Sequence, residues 1–187
     1  PLQGTLRIRT HSKTLTMEGL SFSEFTKRIY IRSSPERIYS SWGTPDGICR
    51  WFLRDAEYRD DSGRVRKGTE PVQPGDRYVW KWHNWEGAEE GMVTRANGRD
   101  ELEFSFAGVS HVRLKLEAGK KAVLLNLHQY GIPTDDESKL NLHYGCSNGW
   151  TFWLANLKAY LEYGVLLHET DLDLSTFPLA GFEFVNI

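Results

Sequence analysis

GCSNGWTFWLANLKAYLEYG, running from Gly145 to Gly164, spells one amphipathic helix. Trp150, Trp153, Leu154, Leu157, Tyr160 and Leu161 recur at three- and four-residue steps, which gathers them on one face. Asn156, Lys158 and Glu162 fall on the remaining, wetter side. A helix that buries aromatic rings needs a wide apolar partner. The preceding chain supplies one as a succession of alternating segments.

Those segments read as strands. Phe25–Arg32 (FTKRIYIR) alternates β-branched and aromatic residues. Ser34-Pro35-Glu36-Arg37 then opens a short helix, with Ser as N-cap, Pro at the first position and an acid in the first turn. Thr44-Pro45-Asp46 repeats that start, and Ile48, Trp51 and Phe52 follow it. Arg54–Arg59 is a further short strand, and residues 64–75, with two prolines and two glycines, read as a loop. Asp76–Asn84 places Tyr78, Trp80 and Trp82 on one side. Glu90–Ala96, Glu101–Ala107, His111–Glu117 and Ala122–Tyr130 complete the set, with Asn97-Gly98 as a hairpin signal. Residues 132–145 read as an acidic polar connection. Half-apolar, half-charged strands in short hairpins make an antiparallel meander with one wet face, and twist curls it. The long helix then lies in the concave side.

The chain has 187 residues, 40% hydrophobic and 26% charged, the size and balance of one globular domain. Seven Trp, eight Tyr and nine Phe are the unusual part: the rings either fill a large core or wall a cavity. A net charge of −2 leaves no basic face for nucleic acid or for a membrane surface. No apolar run approaches the roughly 20 residues that span a bilayer. The two cysteines, Cys49 and Cys146, have no metal-type spacing. No secretory signal is read, so a reducing cytoplasm is the expected compartment. Residues 1–20 are expected outside the fold, as an unstructured extension or as residues ahead of a natural start at Met17. Residues 21–165 form the domain, and 166–187 an apolar tail that packs on it or on a partner.

Taken together, strand, two short helices, meander and long C-terminal helix resemble the α+β helix-grip fold of the START-like, Bet v 1-like (SRPBCC) superfamily: a curved antiparallel sheet of six to seven strands around the last helix. Within it the chain is similar to the family of the activator of the Hsp90 ATPase. Ser33-Ser34-Pro35-Glu36-Arg37-Ile38-Tyr39 carries that resemblance, with Thr44-Pro45-Asp46, Ile48, Trp51-Phe52 and Pro74-Gly75-Asp76-Arg77-Tyr78. Gly149-Trp150 and Leu154, Leu157-Lys158-Ala159-Tyr160-Leu161-Glu162 match the family's closing helix. Departures are Gln129 where family members often carry His, Asp76 in place of a second glycine, and a longer tail.

The resemblance implies a space between helix and sheet. Strand parity assigns Tyr78, Trp80, Trp82, Met92, Phe104, Phe106, Leu114, Leu125, Leu127 and Gln129 to its sheet wall. Trp51, Phe52, Trp150, Trp153 and Leu157 close it from the helices. A mostly apolar wall with a few polar groups is the general form of a small-molecule site. His83, His111, His128 and His143 sit on separate strands or loops, so no metal or other cofactor is expected. Cys49 has no histidine partner; Cys146, just ahead of the helix, stands where a helix N-terminus lowers a thiol pKa. No phosphate loop or nucleophile elbow occurs. The leading expectation is a domain binding a hydrophobic, lipid-like or aromatic, small molecule. The alternatives are a protein-interaction module akin to a co-chaperone, working on a chaperone or on a second copy through the tail, and a cyclase- or hydrolase-type enzyme.

Overall fold

The computed structural model describes residues 21–84, 86–174 and 176–187; the readings made for residues 1–20 lie outside the described residues. Seven antiparallel strands form one sheet in the order β1-β7-β6-β5-β4-β3-β2. They are β1 (Glu24–Ile31), β2 (Asp55–Arg59), β3 (Arg77–Lys81), β4 (Glu89–Ala96), β5 (Glu101–Phe106), β6 (Ser110–Ala118) and β7 (Val123–Tyr130). Strands β2 to β7 are the expected meander, and β1 closes the sheet beside β7.

The two short helices stand where their caps put them. Ser34 Oγ accepts from Arg37 N at 3.2 Å and starts α1 (Pro35–Gly43). Thr44 Oγ1 accepts from Gly47 N at 3.0 Å and starts α2 (Pro45–Cys49). Each satisfies an N–H that a helix end leaves orphaned. Ile38, Trp42, Ile48 and Trp51 are thereby turned into the core.

The last helix begins earlier than the sequence suggests. Asp135 caps α3 (Asp136–Ser138), a π-helical stretch follows over Lys139–Gly145, and α4 (Cys146–Tyr163) continues it to Gly164, whose φ of 71° ends it. The polar connection expected over 132–145 is therefore helical from Asp136. Wide π turns break the 3.6-residue period, so this part shows no apolar stripe in the sequence. The side of α4 read as wet is also partly dry. Asn156 is fully buried, because the tail folds back over it: Leu167 N donates to Asn156 Oδ1 at 2.7 Å, and Asn156 Nδ2 donates to the Trp51 carbonyl at 2.5 Å. Glu162 is tucked beneath Arg32, accepting from its backbone N–H at 2.7 Å. Further along the tail, Leu174 and Ala180 are buried, the latter at the start of α5 (Ala180–Glu183).

Strand parity sets the inner face. Tyr78, Trp80, Leu102, Phe104, Val112, Leu114, Leu125, Leu127 and Gln129 are all buried. Met92 is the exception: it is 40% exposed and lies on the other face. The inward positions of β4 are Gly91 and Val93. A Cβ on Gly91 would lie 2.5 Å from the Tyr78 hydroxyl, so the Tyr78 ring occupies the room that a side chain would need. Adjacent apolar residues, Met92 and Val93, left the parity of this strand ambiguous.

A buried ion pair pins the loop between β2 and β3. Arg66 grips Asp76 through both Nε and Nη2, the latter at 2.7 Å from Oδ1, and Gln73 N donates to Asp76 Oδ2 at 2.7 Å. Their side chains are 9% and 2% exposed. Removing one partner of such a pair strands the other charge, at a cost of about 3–5 kcal/mol. Arg66→Met should lose about that much in urea denaturation, and the Arg66→Met/Asp76→Leu double variant should recover most of it. Equal losses in both would contradict the assignment.

Candidate functional site

The space between helix and sheet is filled by rings around Phe52. Its centroid lies 4.8 Å from Trp153, 5.2 Å from Trp51, 5.5 Å from Trp150, 6.0 Å from Trp80 and 6.1 Å from Trp82. Most of these pairs are tilted or edge-on, the arrangement that ring quadrupoles favour. Several polar ends are satisfied at the periphery, while the buried Trp42 Nε1 has no partner among the described residues. Trp80 Nε1 donates to Tyr58 Oη at 3.0 Å, Trp51 Nε1 to the Ser41 carbonyl at 2.9 Å, and Tyr78 Oη to the Ser105 carbonyl at 2.6 Å.

One polar relay ties α4 to the sheet. Gln129, fully buried, accepts from Trp150 Nε1 at 2.8 Å and donates from Nε2 to Ser110 Oγ at 3.1 Å. Ser110 Oγ donates in turn to the Phe106 carbonyl at 2.7 Å. The amide thus holds Trp150 in orientation with both of its ends occupied.

What the rings leave open is a cleft of about 110 Å³, lined by Phe52, Trp82, Phe106, Cys146, Gly149, Trp150 and Trp153. Five of these come from the residues that the sequence assigned to the site. Trp51, Tyr78, Trp80, Phe104, Leu114, Leu125, Leu127, Gln129 and Leu157 are instead packed into the core without lining it, and Met92 stands apart. Cys146 and Gly149 join the lining unforeseen, although three- and four-residue steps from Cys146 to Gly149 and Trp150, and from Gly149 to Trp153, put them on the same helical face. Drug-sized ligand pockets run from about 300 to 1,000 Å³. A dry cavity of about 150 Å³ takes one benzene. The cleft matches a single ring or a small branched group. It does not match a lipid chain.

Neither thiol is activated. Burial, aided by the negative charge of Glu89, pushes Cys146 up to about 11. Burial, then Asp55 and Asp46, does the same for Cys49, also to about 11. Cys146 is the quiet thiol that the sequence favours, and it does not stand at a free helix N-terminus, because the helix already runs through the π-helical stretch before it. The histidines are less scattered than the sequence implies: His83 and His168 rings meet at 5.5 Å, and His168 Nδ1 lies 3.2 Å from Asn156 Nδ2. Among the described residues, no group of three or more His, Cys, Asp or Glu side chains is placed to hold a metal ion, and no helix is long and apolar enough to cross a membrane.

Sheet, clasped helix and aromatic cleft together define a START-like helix-grip domain. The family model described as Activator of Hsp90 ATPase homolog 1-like protein matches residues 32–162, and the chain belongs to that family. No curated protein matches it. Among solved structures it is similar to the protein SSP2350 of Staphylococcus saprophyticus (15% identity, TM-score 0.61, covering 76% of this chain and 94% of that one). It is also similar to the Aha1 dimer of Colwellia psychrerythraea (21% identity, TM-score 0.59, 75% and 97%) and to CalU16 of Micromonospora echinospora (19% identity, TM-score 0.56, 74% and 74%). At these identities the likeness speaks for the fold.

The raised thiol pKa is directly testable. Protonated sulfur is a poor nucleophile, and the thiolate fraction grows with pH until the pKa is passed. With Cys49 replaced by Ser, alkylation of Cys146 should still be accelerating at about pH 10, as its pKa of about 11 requires. A plateau near the ordinary thiol range would contradict the burial argument.

Proposed function

We propose that this chain is a small-molecule binding domain whose site is the aromatic cleft at the start of α4, and that it takes one aromatic ring or a compact apolar group. The observation that carries this reading is the match between the cleft's volume of about 110 Å³ and its lining of five aromatic side chains. Trp82, Phe106 and Cys146 are only partly buried, so the lining reaches the surface and offers a way in. The protonated thiol supports holding a ligand over attacking it. Two free cysteines fit a reducing, cytoplasmic compartment.

The second reading is a protein-interaction module. It is favoured by a separate observation: Leu172, Phe177, Leu179, Phe182 and Val185 of the tail are 42–77% exposed, and large exposed apolar residues in one segment mark contact surfaces. Sedimentation at increasing protein concentration distinguishes self-association from a monomer.

Gly149 provides the test of the first reading. A Cβ there meets nothing within 4 Å, so substitution at this lining position starts from open space. Gly149→Ala should raise stability by about 0.5–1 kcal/mol through helix propensity. Gly149→Leu should remain folded and occupy the cleft. Indole should bind the wild type saturably, seen as shifts of the Trp150 and Trp153 indole N–H signals, and should lose that binding in Gly149→Leu. Indole shifts unchanged by the leucine, or tighter binding of a long-chain fatty acid than of indole, would refute the reading.

A further inference from the structure

The tail returns to α4 at one buried amide. Asn156 Oδ1 accepts from Leu167 N at 2.7 Å, and Asn156 Nδ2 donates to the Trp51 carbonyl at 2.5 Å. A backbone donor on one side and a backbone acceptor on the other fix which way round the amide lies. Turned over, it would set N–H against N–H and oxygen against oxygen. The same Nδ2 lies 3.2 Å from His168 Nδ1. An amide NH₂ only donates, so Nδ1 must accept, and the His168 ring carries its single proton on Nε2. We propose that this contact makes the start of the tail, residues 166–171, a proton-operated strap: neutral His168 holds it on α4, and protonated His168 lets it go.

Protonation defeats the contact in two ways. It turns Nδ1 into a donor that faces another donor, so a buried N–H of Asn156 loses its partner. It also sets a positive charge beside a second imidazole, since the His83 ring lies 5.5 Å away, after β3. The rest of the surroundings is mostly apolar: the Trp153 ring of α4 stands 5.3 Å from His168, and Phe52 and Trp82 line the same crevice. The charged groups nearby are few. Glu169 of the tail joins His168 in lining that crevice, and Arg54, ahead of β2, acts on His83. Glu86, Asp171 and Asp173 share a pocket with His83, and Asp171 favours the protonated form of that ring. Burial, then Arg54, outweighs Asp171 and lowers the His83 pKa; burial, then His83, lowers that of His168.

The direction of the pH response follows from linkage. A His168 ring freed with the tail titrates near the ordinary value of about 6.5, whereas the strapped ring takes up its proton only at lower pH. The free form therefore binds the proton more readily, so the strap is fully held above about pH 6.5 and weakens as pH falls below it. Opening bears on the aromatic cleft, because Phe52, Trp82 and Trp153 line both the cleft and the crevice that His168 and Glu169 close. The strap thus walls one flank of the cleft, with a segment that lies beyond the family match ending at residue 162.

Amide hydrogen exchange reads the strap without any ligand, so its outcome stands apart from that of indole binding. The Leu167 N–H is the reporter, since it is protected by Asn156, and the buried Leu125 of β7 is the reference for the whole fold. Between pH 7.5 and 5, Leu167 protection should fall by up to about tenfold per pH unit once below about 6.5, while Leu125 keeps its protection. His168→Asn keeps an acceptor on Cγ that does not titrate, so Leu167 protection should stay level across the range. The wild type supplies a second measurement that no variant can spoil: ring nitrogen-15 shifts should show Nδ1 unprotonated at pH 7.5 and gaining its proton as Leu167 opens. The proposal is overturned if Leu167 protection does not change, if Leu125 loses protection in parallel, if His168→Asn responds as steeply as the wild type, or if Nδ1 carries the proton of the neutral ring.

Discussion

Everything in this structure depends on the packing of aromatic rings around Phe52. That one side chain, on the segment between α2 and β2, touches Trp42 of α1, Trp80 of β3, and Trp150 and Trp153 of α4. The short helices, the sheet and the clasped helix therefore share a single contact. Each aromatic pair adds about 0.5–1.5 kcal/mol beyond the area it buries. Rings of this size also leave few shapes of gap between them. The cleft is what remains when tryptophans, and not leucines, fill a helix-grip interior, and its dimensions follow from the packing.

Buried polar chemistry does two jobs here: it orients rings, and it ties down loops and the tail. Gln129 has a donor and an acceptor at once, so it satisfies Trp150 and Ser110 together. A neutral imidazole also has one of each, but it would titrate near neutral pH. The amide gives the same bridge with no pH dependence. Asp76 is similarly committed: it binds Arg66 and the backbone of its own turn, closing a long loop at the sheet edge.

Much of this was legible in the sequence because burial has a period. Trp150, Trp153 and Leu157 could be placed by helical spacing, and Tyr78, Trp80, Phe104 and Leu127 by strand alternation. The failures share one cause, contacts that no local period encodes. Met92 was misplaced because it neighbours another apolar residue and because Gly91 yields its space to Tyr78, a fact of cross-strand packing. Asn156 read as wet since nothing in the helix reveals that the tail returns over it. The helical start at Asp136 was hidden by a π-helical stretch. The meeting of His83 with His168 and the unpaired amide of Asn84 depend on the same returning tail. For the candidate site, the sequence named the rings but not whether they left room, because volume is a difference between large quantities that only coordinates supply.

The central claim is that the aromatic packing leaves a small apolar cleft at the start of α4. Crystals pressurised with xenon measure this directly, since the atom settles in dry cavities of this size. The prediction is an occupied xenon site in the cleft, among Phe52, Phe106, Trp150 and Trp153. Xenon lodged deeper, between Trp80, Leu125 and Leu127, or absent from the cleft, would contradict it.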